Sequence, residues 1–208
     1  MNQGFSVNAP TFIDVGSDGT LNLQNLKVIG GVGSEGEQIQ ILGSNGIVSG
    51  DPYVYLLESD GMEEGWYMGG SWDPITEVSV PKGTGFIFFC DSGAQLQSAG
   101  EVVTGETRIP LNAGFTVAGN STNIDRDLQD FKIEGGVGSE GEQIQLLGSN
   151  GIVSGDPYVY LLESDGMEEG WYMGGSWEPI ENVTIKAGQS HIFYTAEGAT
   201  LVIPSQLD

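Results

Sequence analysis

Two short stretches hold the side chains whose types and spacing could do chemistry. ESDGMEEG (58–65) sets Glu58, Asp60, Glu63 and Glu64 around a glycine turn, and the same letters return at 163–170 as Glu163, Asp165, Glu168 and Glu169. Hard cations such as Ca²⁺ take several oxygen ligands from a turn of this kind. The spacing differs from the EF-hand loop, and a solvated acidic hairpin tip is the plainer reading. GWYMGGSW (65–72) follows directly and brings Trp66, Tyr67 and Trp72 together, with Trp171, Tyr172 and Trp177 as their copies. Aromatic faces beside carboxylates suit sugar rings, because stacking supplies area and acidic oxygens accept hydroxyl hydrogen bonds. In a strand Trp66 and Met68 share one face and Tyr67 takes the other, so at least half of this cluster is expected in the core.

Both stretches lie in a longer copied block. Residues 30–75 recur as 135–180 with two changes, Ile41 to Leu146 and Asp73 to Glu178. Each copy carries eight carboxylates and no Lys or Arg. Weaker matches flank the block: 76–96 answers 181–201, 21–31 answers 125–136, and VNAPTFIDVGS (7–17) is aligned with LNAGFTVAGNS (111–121). The organisation expected is two tandem homologous units, residues 1–104 and 105–208. Gene conversion alone would explain a copied block, and so would a surface that both units present.

The elements that must position these groups read as strands. EQIQIL (37–42) alternates polar and apolar and runs into GSNG, a hairpin turn. YVYLLE (53–58) puts Tyr53, Tyr55 and Leu57 on one face and Val54 and Leu56 on the other. GWYM (65–68), TEVSV (76–80), FIFFC (86–90) and AQLQSAG (94–100) continue the pattern, and LNLQNLKV is read as strand or loop. Gly numbers 34 of 208 residues without a Gly-X-Y period, which fits many turns between short strands. The fold class expected is all-β: two β-sandwich or barrel-like units with pseudo-symmetry.

Charge excludes some partners. The formal net charge is −23, from 29 acidic against 6 basic residues. Phosphate backbones and anionic membrane surfaces would be repelled. No stretch approaches the apolar length that spans a membrane. Met1 to Phe12 has no basic start and no apolar run, so it does not read as a signal peptide. Two readings of the start are open, a native intracellular one and a mature secreted chain with an added Met1; the Gly, Ser, Asn and Thr content with little Lys favours the second, extracellular or cell-surface.

Catalytic sets do not assemble. His191 is the only histidine and sits in an apolar strand; Cys90 follows FIFF and reads as buried. GGVGSEG lacks the Lys and helix of a phosphate loop. FFCDSGA (88–94) has an aspartic-protease look, but the second unit reads FYTAEGA and breaks the pair. Asn120-Ser-Thr and Asn182-Val-Thr match the glycosylation triplet.

The run GWYMGGSW, VSVPKGTGFIFF and GAQLQSAGEV resembles repeat modules of large secreted bacterial proteins, over residues 65–103 and more weakly 170–204. The resemblance implies a secreted or surface β module and no catalytic site. The reading is a non-catalytic structural or adhesive protein of an extracellular or cell-surface assembly, self-associating or meeting other surface proteins. The alternative is a carbohydrate-binding module with a glycan ligand, and the third is a capsid or particle subunit. Ca²⁺ is the one cofactor the pattern suggests.

Overall fold

The computed structural model describes residues 4–33, 36–43, 50–91, 93–148 and 151–205. Its regular structure is all-β, in several antiparallel sheets, with helix limited to single 3-10 turns. Two five-stranded sheets dominate. The first has the order Gly4–Asn8, Phe86–Cys90, Glu37–Ile41, Tyr53–Leu56, Gly65–Met68. The second has the order Gly114–Gly119, Ser190–Thr195, Glu142–Gln145, Tyr158–Leu161, Gly170–Met173. Shorter pairings face them: Leu26–Ile29 with Gln95–Ser98 and Thr20–Asn22 with Ser79–Pro81 in the first half. The second half has Arg126–Asp127 with Thr184–Ile185, and a three-stranded sheet of Thr107–Leu111, Ala199–Ile203 and Lys132–Glu134.

Period-two alternation explains the core. Ile39, Tyr55, Trp66, Phe86 and Phe88 point from the first sheet onto Leu21, Leu23, Leu26, Val28 and Val80. Ile144, Tyr160, Trp171 and Phe193 meet Leu128, Phe131, Ile133, Ile185 and Leu201 in the second half. Each such side chain contributes about 1.5–3 kcal/mol by leaving water. Val54, Leu56 and Tyr67 form a separate small cluster on the opposite face of the first sheet, as the alternation of YVYL and GWYM requires. LNLQNLKV holds a 3-10 turn at Leu23–Asn25 between two strands, capped by the Asn22 side chain accepting from the Gln24 N–H. The GSNG turn after Glu37–Ile41 lies outside the described residues. In the second copy, the Gly151 N–H donates to the Gly148 carbonyl at 2.9 Å.

The hydrogen-bond register corrects one alignment. Gly4 faces Cys90 and Gly114 faces Thr195, so GFSV (4–7) takes the place of GFTV (114–117), and VNAP (7–10) does not take that of LNAG (111–114). A weak copy leaves its gap free to slide; the ladder fixes it. By the same register, Asn8 faces Phe86 and Ala118 faces His191, which puts His191 where the first half has Phe86.

The halves are joined by backbone. The Ala9 N–H donates to the Gly188 carbonyl at 2.8 Å, Gly85 N–H to Val117 O at 3.2 Å, and Gly119 N–H to Gly83 O at 3.0 Å. Glycine is required because the chains touch: a Cβ on Gly85 would lie 2.3 Å from Val117 Cγ1. Gly85→Val is expected to lower stability by about 2–3 kcal/mol through overpacking, read as an earlier urea midpoint. An unmoved midpoint would show that this contact is not held in solution.

Candidate functional site

In the second half three segments of the copied block meet at one corner, the GGVGSEG loop, the ESDGMEEG turn and the GGSW turn; in the first half Gly33 of the loop approaches Asp60 of the turn. The loop is shaped from both sides by carboxylates. From within, Glu142 accepts the Val137 N–H at 2.9 Å and the Gly138 N–H at 3.0 Å; Glu37 does the same for Val32 and Gly33, at 3.0 and 3.2 Å. Glu37 and Glu142 are 0% and 1% exposed. Their position follows from EQIQ, since Glu37 shares the inward face with Ile39. Gly31 and Gly136 admit them, because a Cβ there would come within 2.7 and 2.5 Å of the carboxylate.

From outside, Asp165 accepts the Ser139 N–H at 3.0 Å, the Ser139 hydroxyl at 3.1 Å and the Leu162 N–H at 2.9 Å. The Leu162 and Ser139 bonds hold its carboxyl below the usual aspartate range. Asp60 accepts the Leu57 N–H at 2.8 Å in the first half. Gly33 and Gly138 adopt positive φ, and a Cβ there would meet Asp60 or Asp165 at 2.6 or 2.7 Å.

The other acidic residues of the turn are used differently. Tyr55 donates its hydroxyl to Glu64 and Tyr160 donates to Glu169, each at 2.7 Å. Burial, reinforced by Glu64, pushes Tyr55 up to about 12; burial and Glu169 push Tyr160 up further. Glu58, Glu63, Glu163 and Glu168 are exposed. The residues named for Ca²⁺, Glu58, Asp60, Glu63 and Glu64, and Glu163, Asp165, Glu168 and Glu169, are not brought together in the structure. Among the described residues no three His, Cys, Asp or Glu side chains group to hold a metal ion. The aspartates are turned onto backbone N–H groups and one glutamate of each set onto a tyrosine, so the carboxylates diverge.

The aromatic cluster also divides. Trp66 and Trp171 are 1% and 0% exposed, and their indole N–H groups donate to Leu26 O and Phe131 O at 2.7 Å. Tyr67 and Tyr172 are buried on the opposite face and donate to Glu63 O and Glu168 O. These four are therefore core residues and no ligand platform. Trp72 and Trp177 remain, each 38% exposed. Both have left-handed backbone, with φ of 62° and 60°. Their N–H groups close the turn onto Met68 O and Met173 O at 3.0 Å. A bulky residue gives up roughly 1–2 kcal/mol in this region relative to glycine.

Trp177 borders a hollow of about 470 Å³ with Ser139, Glu140, Ser164, Asp165 and Met167. Ser139 and Glu140 are left-handed as well, at φ 51° and 68°. The corner thus offers one indole, a thioether, two serine hydroxyls and two carboxylates.

Two further features were not legible in the motifs. Phe5 and Phe115, 59% and 60% exposed, stand on the outer sheet faces against Phe89 and Tyr194 at 4.8 and 5.3 Å. Asn120 is fully buried and its side-chain amide donates to Ile124 O at 2.8 Å, so its glycosylation triplet is structural. Cys90 is buried at 1%. Comparison with known protein families, with curated proteins and with solved structures finds no match.

Proposed function

We propose that the chain is a non-catalytic adhesive protein of an extracellular or cell-surface assembly, and that it holds a neutral glycan at two equivalent corners. The observation that carries the reading is the pair Trp72 and Trp177: large, part-exposed aromatics kept in a backbone conformation that disfavours them, in both copies. The surroundings suit a sugar. An indole face supplies stacking area, and Asp165, Ser139 and Ser164 supply acceptors and donors. An ionised carboxylate has lone pairs beyond those already engaged by Ser139 and Leu162. A neutral ligand meets no Coulomb penalty at a surface of net charge −23, whereas two acidic corners meeting each other would.

The two halves are homologous units related by a pseudo-twofold. In support, the bridges Asn8–Gln189 and Thr84–Ala118 are reciprocal once GFSV is matched to GFTV. Two fixed corners then bind a repeating polymer with avidity that one corner lacks.

Affinity electrophoresis through gels containing neutral polysaccharides, with Trp emission recorded on titration, tests the reading. The wild-type chain is expected to be retarded, and Trp72→Asn/Trp177→Asn to run as in an empty gel. Each single variant should lose well over half of the retardation. Asparagine tolerates left-handed backbone, which offsets part of the lost packing, so the double variant should melt only about 2–4 °C lower per lost kcal/mol. Retardation that survives in the double variant, or none for wild type across the panel, would reject the proposal.

A further inference from the structure

The triplet Asn-X-Thr occurs twice, at Asn120 and Asn182, and the fold treats the two in opposite ways. Asn120 is fully buried. Its amide donates to Ile124 O at 2.8 Å and Ile185 O at 3.3 Å, and its carbonyl oxygen accepts the Thr122 N–H at 3.0 Å and the Thr122 hydroxyl at 2.6 Å. A sugar on that nitrogen would replace one of two engaged N–H donors and would have no surface to leave by. Asn182 and Thr184 are both exposed. Among the described residues no hydrogen bond engages the Asn182 side chain. Its backbone is left-handed at φ 58°, a conformation asparagine tolerates. The turn is pinned from beneath, because the Leu128 N–H donates to Val183 O at 2.7 Å and Thr184 stands opposite Asp127. Alternation then sends Ile185 into the core and Thr184 outward. The first half makes the same contacts from Glu77-Val78-Ser79, with Leu23 N–H on Val78 O at 2.8 Å and Ser79 opposite Asn22. The ladder itself therefore demands no asparagine here.

We propose that Asn182 is an acceptor for an N-linked glycan and that Asn120 is not. The donor is an oligosaccharide carried on a lipid diphosphate. The Asn182 Nδ2 attacks the anomeric carbon and forms the C–N bond. The bond from that carbon to the phosphate oxygen breaks, its electron pair leaves on the lipid diphosphate, and one amide proton passes to a base. Nothing is oxidised or reduced. The Thr184 hydroxyl is the second group the transferring enzyme reads, which is why the triplet marks exposed segments of secreted chains. This inference rests on the extracellular reading above, but not on the Trp72 and Trp177 corners. The modification would mark the second half alone, since Glu77 holds the equivalent place in the first.

The test secretes the full chain from cultured eukaryotic cells behind a cleavable leader. Intact mass is recorded before and after treatment with peptide N-glycosidase. A single N-glycan is expected, and its release should convert Asn182 to aspartate. Asn182→Gln and Thr184→Ala should each be secreted with the glycan lost entirely. Thr184→Ala carries the decision, because it keeps the amide and the turn. An asparagine present only for its left-handed backbone has no use for that hydroxyl. A secreted chain without glycan overturns the proposal, and so does a glycan on Asn120 or one that survives Thr184→Ala. The mass is read with no polysaccharide present, so absence of gel retardation would reject the glycan-binding corners and leave this result standing, and the reverse holds as well.

Discussion

Glu142→Ala is expected to destabilise the protein by about 3–5 kcal/mol, a loss matched among the acidic residues of the copied block only by that of Glu37→Ala. Its carboxylate is 1% exposed and is the acceptor for the N–H groups of Val137 and Gly138. Truncation orphans both donors, at roughly 1–3 kcal/mol each, and leaves a cavity where Gly136 had made room. Glu142→Gln keeps the shape and one acceptor, so a loss of about 1–2 kcal/mol is expected. Glu37→Ala should behave alike in the first half, where Val32 and Gly33 are the donors. Glu163→Ala, at an exposed position in the same block, should change stability by less than about 0.5 kcal/mol. Urea unfolding of the four variants checks this. A loss below 1 kcal/mol for Glu142→Ala would mean that the loop is not organised by that carboxylate.

The second large effect is a pH dependence carried by one residue. Burial, with 2% of His191 exposed, pulls its pKa down to about 4. Its Nδ1 accepts the Leu147 N–H at 3.0 Å, which leaves the proton on Nε2, buried with no hydrogen-bond partner among the described residues. The unfolded chain protonates this histidine near pH 6.5, the folded chain only near 4. Between those values the unfolded state binds a proton that the folded state does not. Stability therefore falls as pH drops from about 6.5 to 4, and the loss is constant below that. The full size is on the order of 3 kcal/mol. Carboxylates titrate in part of this window, so the effect is read as the difference between wild type and His191→Phe. Phenylalanine is the residue the first half already has at this position, Phe86. The variant orphans the Leu147 N–H and should be less stable near neutrality, yet lose less on acidification. Parallel stability curves for the two proteins between pH 7 and 4 would contradict the assignment.

Much of the fold could be read from alternation alone. GWYM and FIFFC are strands at the residues expected, and Trp66 and Tyr67 part to opposite faces as a period of two demands. The same rule places Glu37 on the face of Ile39, which signals a buried carboxylate in need of donors. Partners from other segments were not legible. Nothing in GGSW announces a left-handed tryptophan, since turn geometry there depends on Gly69 donating to Pro52 O. The carboxylates named for Ca²⁺ are spread apart for a similar reason. Sequence spacing put four carboxylates near one glycine, but Tyr55 and the Leu57 N–H, both fixed by the sheet, draw Glu64 and Asp60 in different directions.

The copied hairpins have a kinetic consequence. Tyr53–Leu56 pairs with Gly65–Met68, and Tyr158–Leu161 with Gly170–Met173, through the same residues in the same register. An unfolded chain cannot tell these partners apart by side chain, only by the length of the intervening loop. The local closure is favoured by loop entropy, but the exchanged pairing is a well-bonded alternative. The strands that break the degeneracy are the divergent ones: Gly4–Asn8 must find Phe86–Cys90, and Gly114–Gly119 must find Ser190–Thr195. These are long-range closures and so are slow. Fidelity of assembly thus rests on the part of the chain whose sequence does not recur, and synthesis from the N-terminus, which exposes one hairpin before the other exists, sorts the two in time.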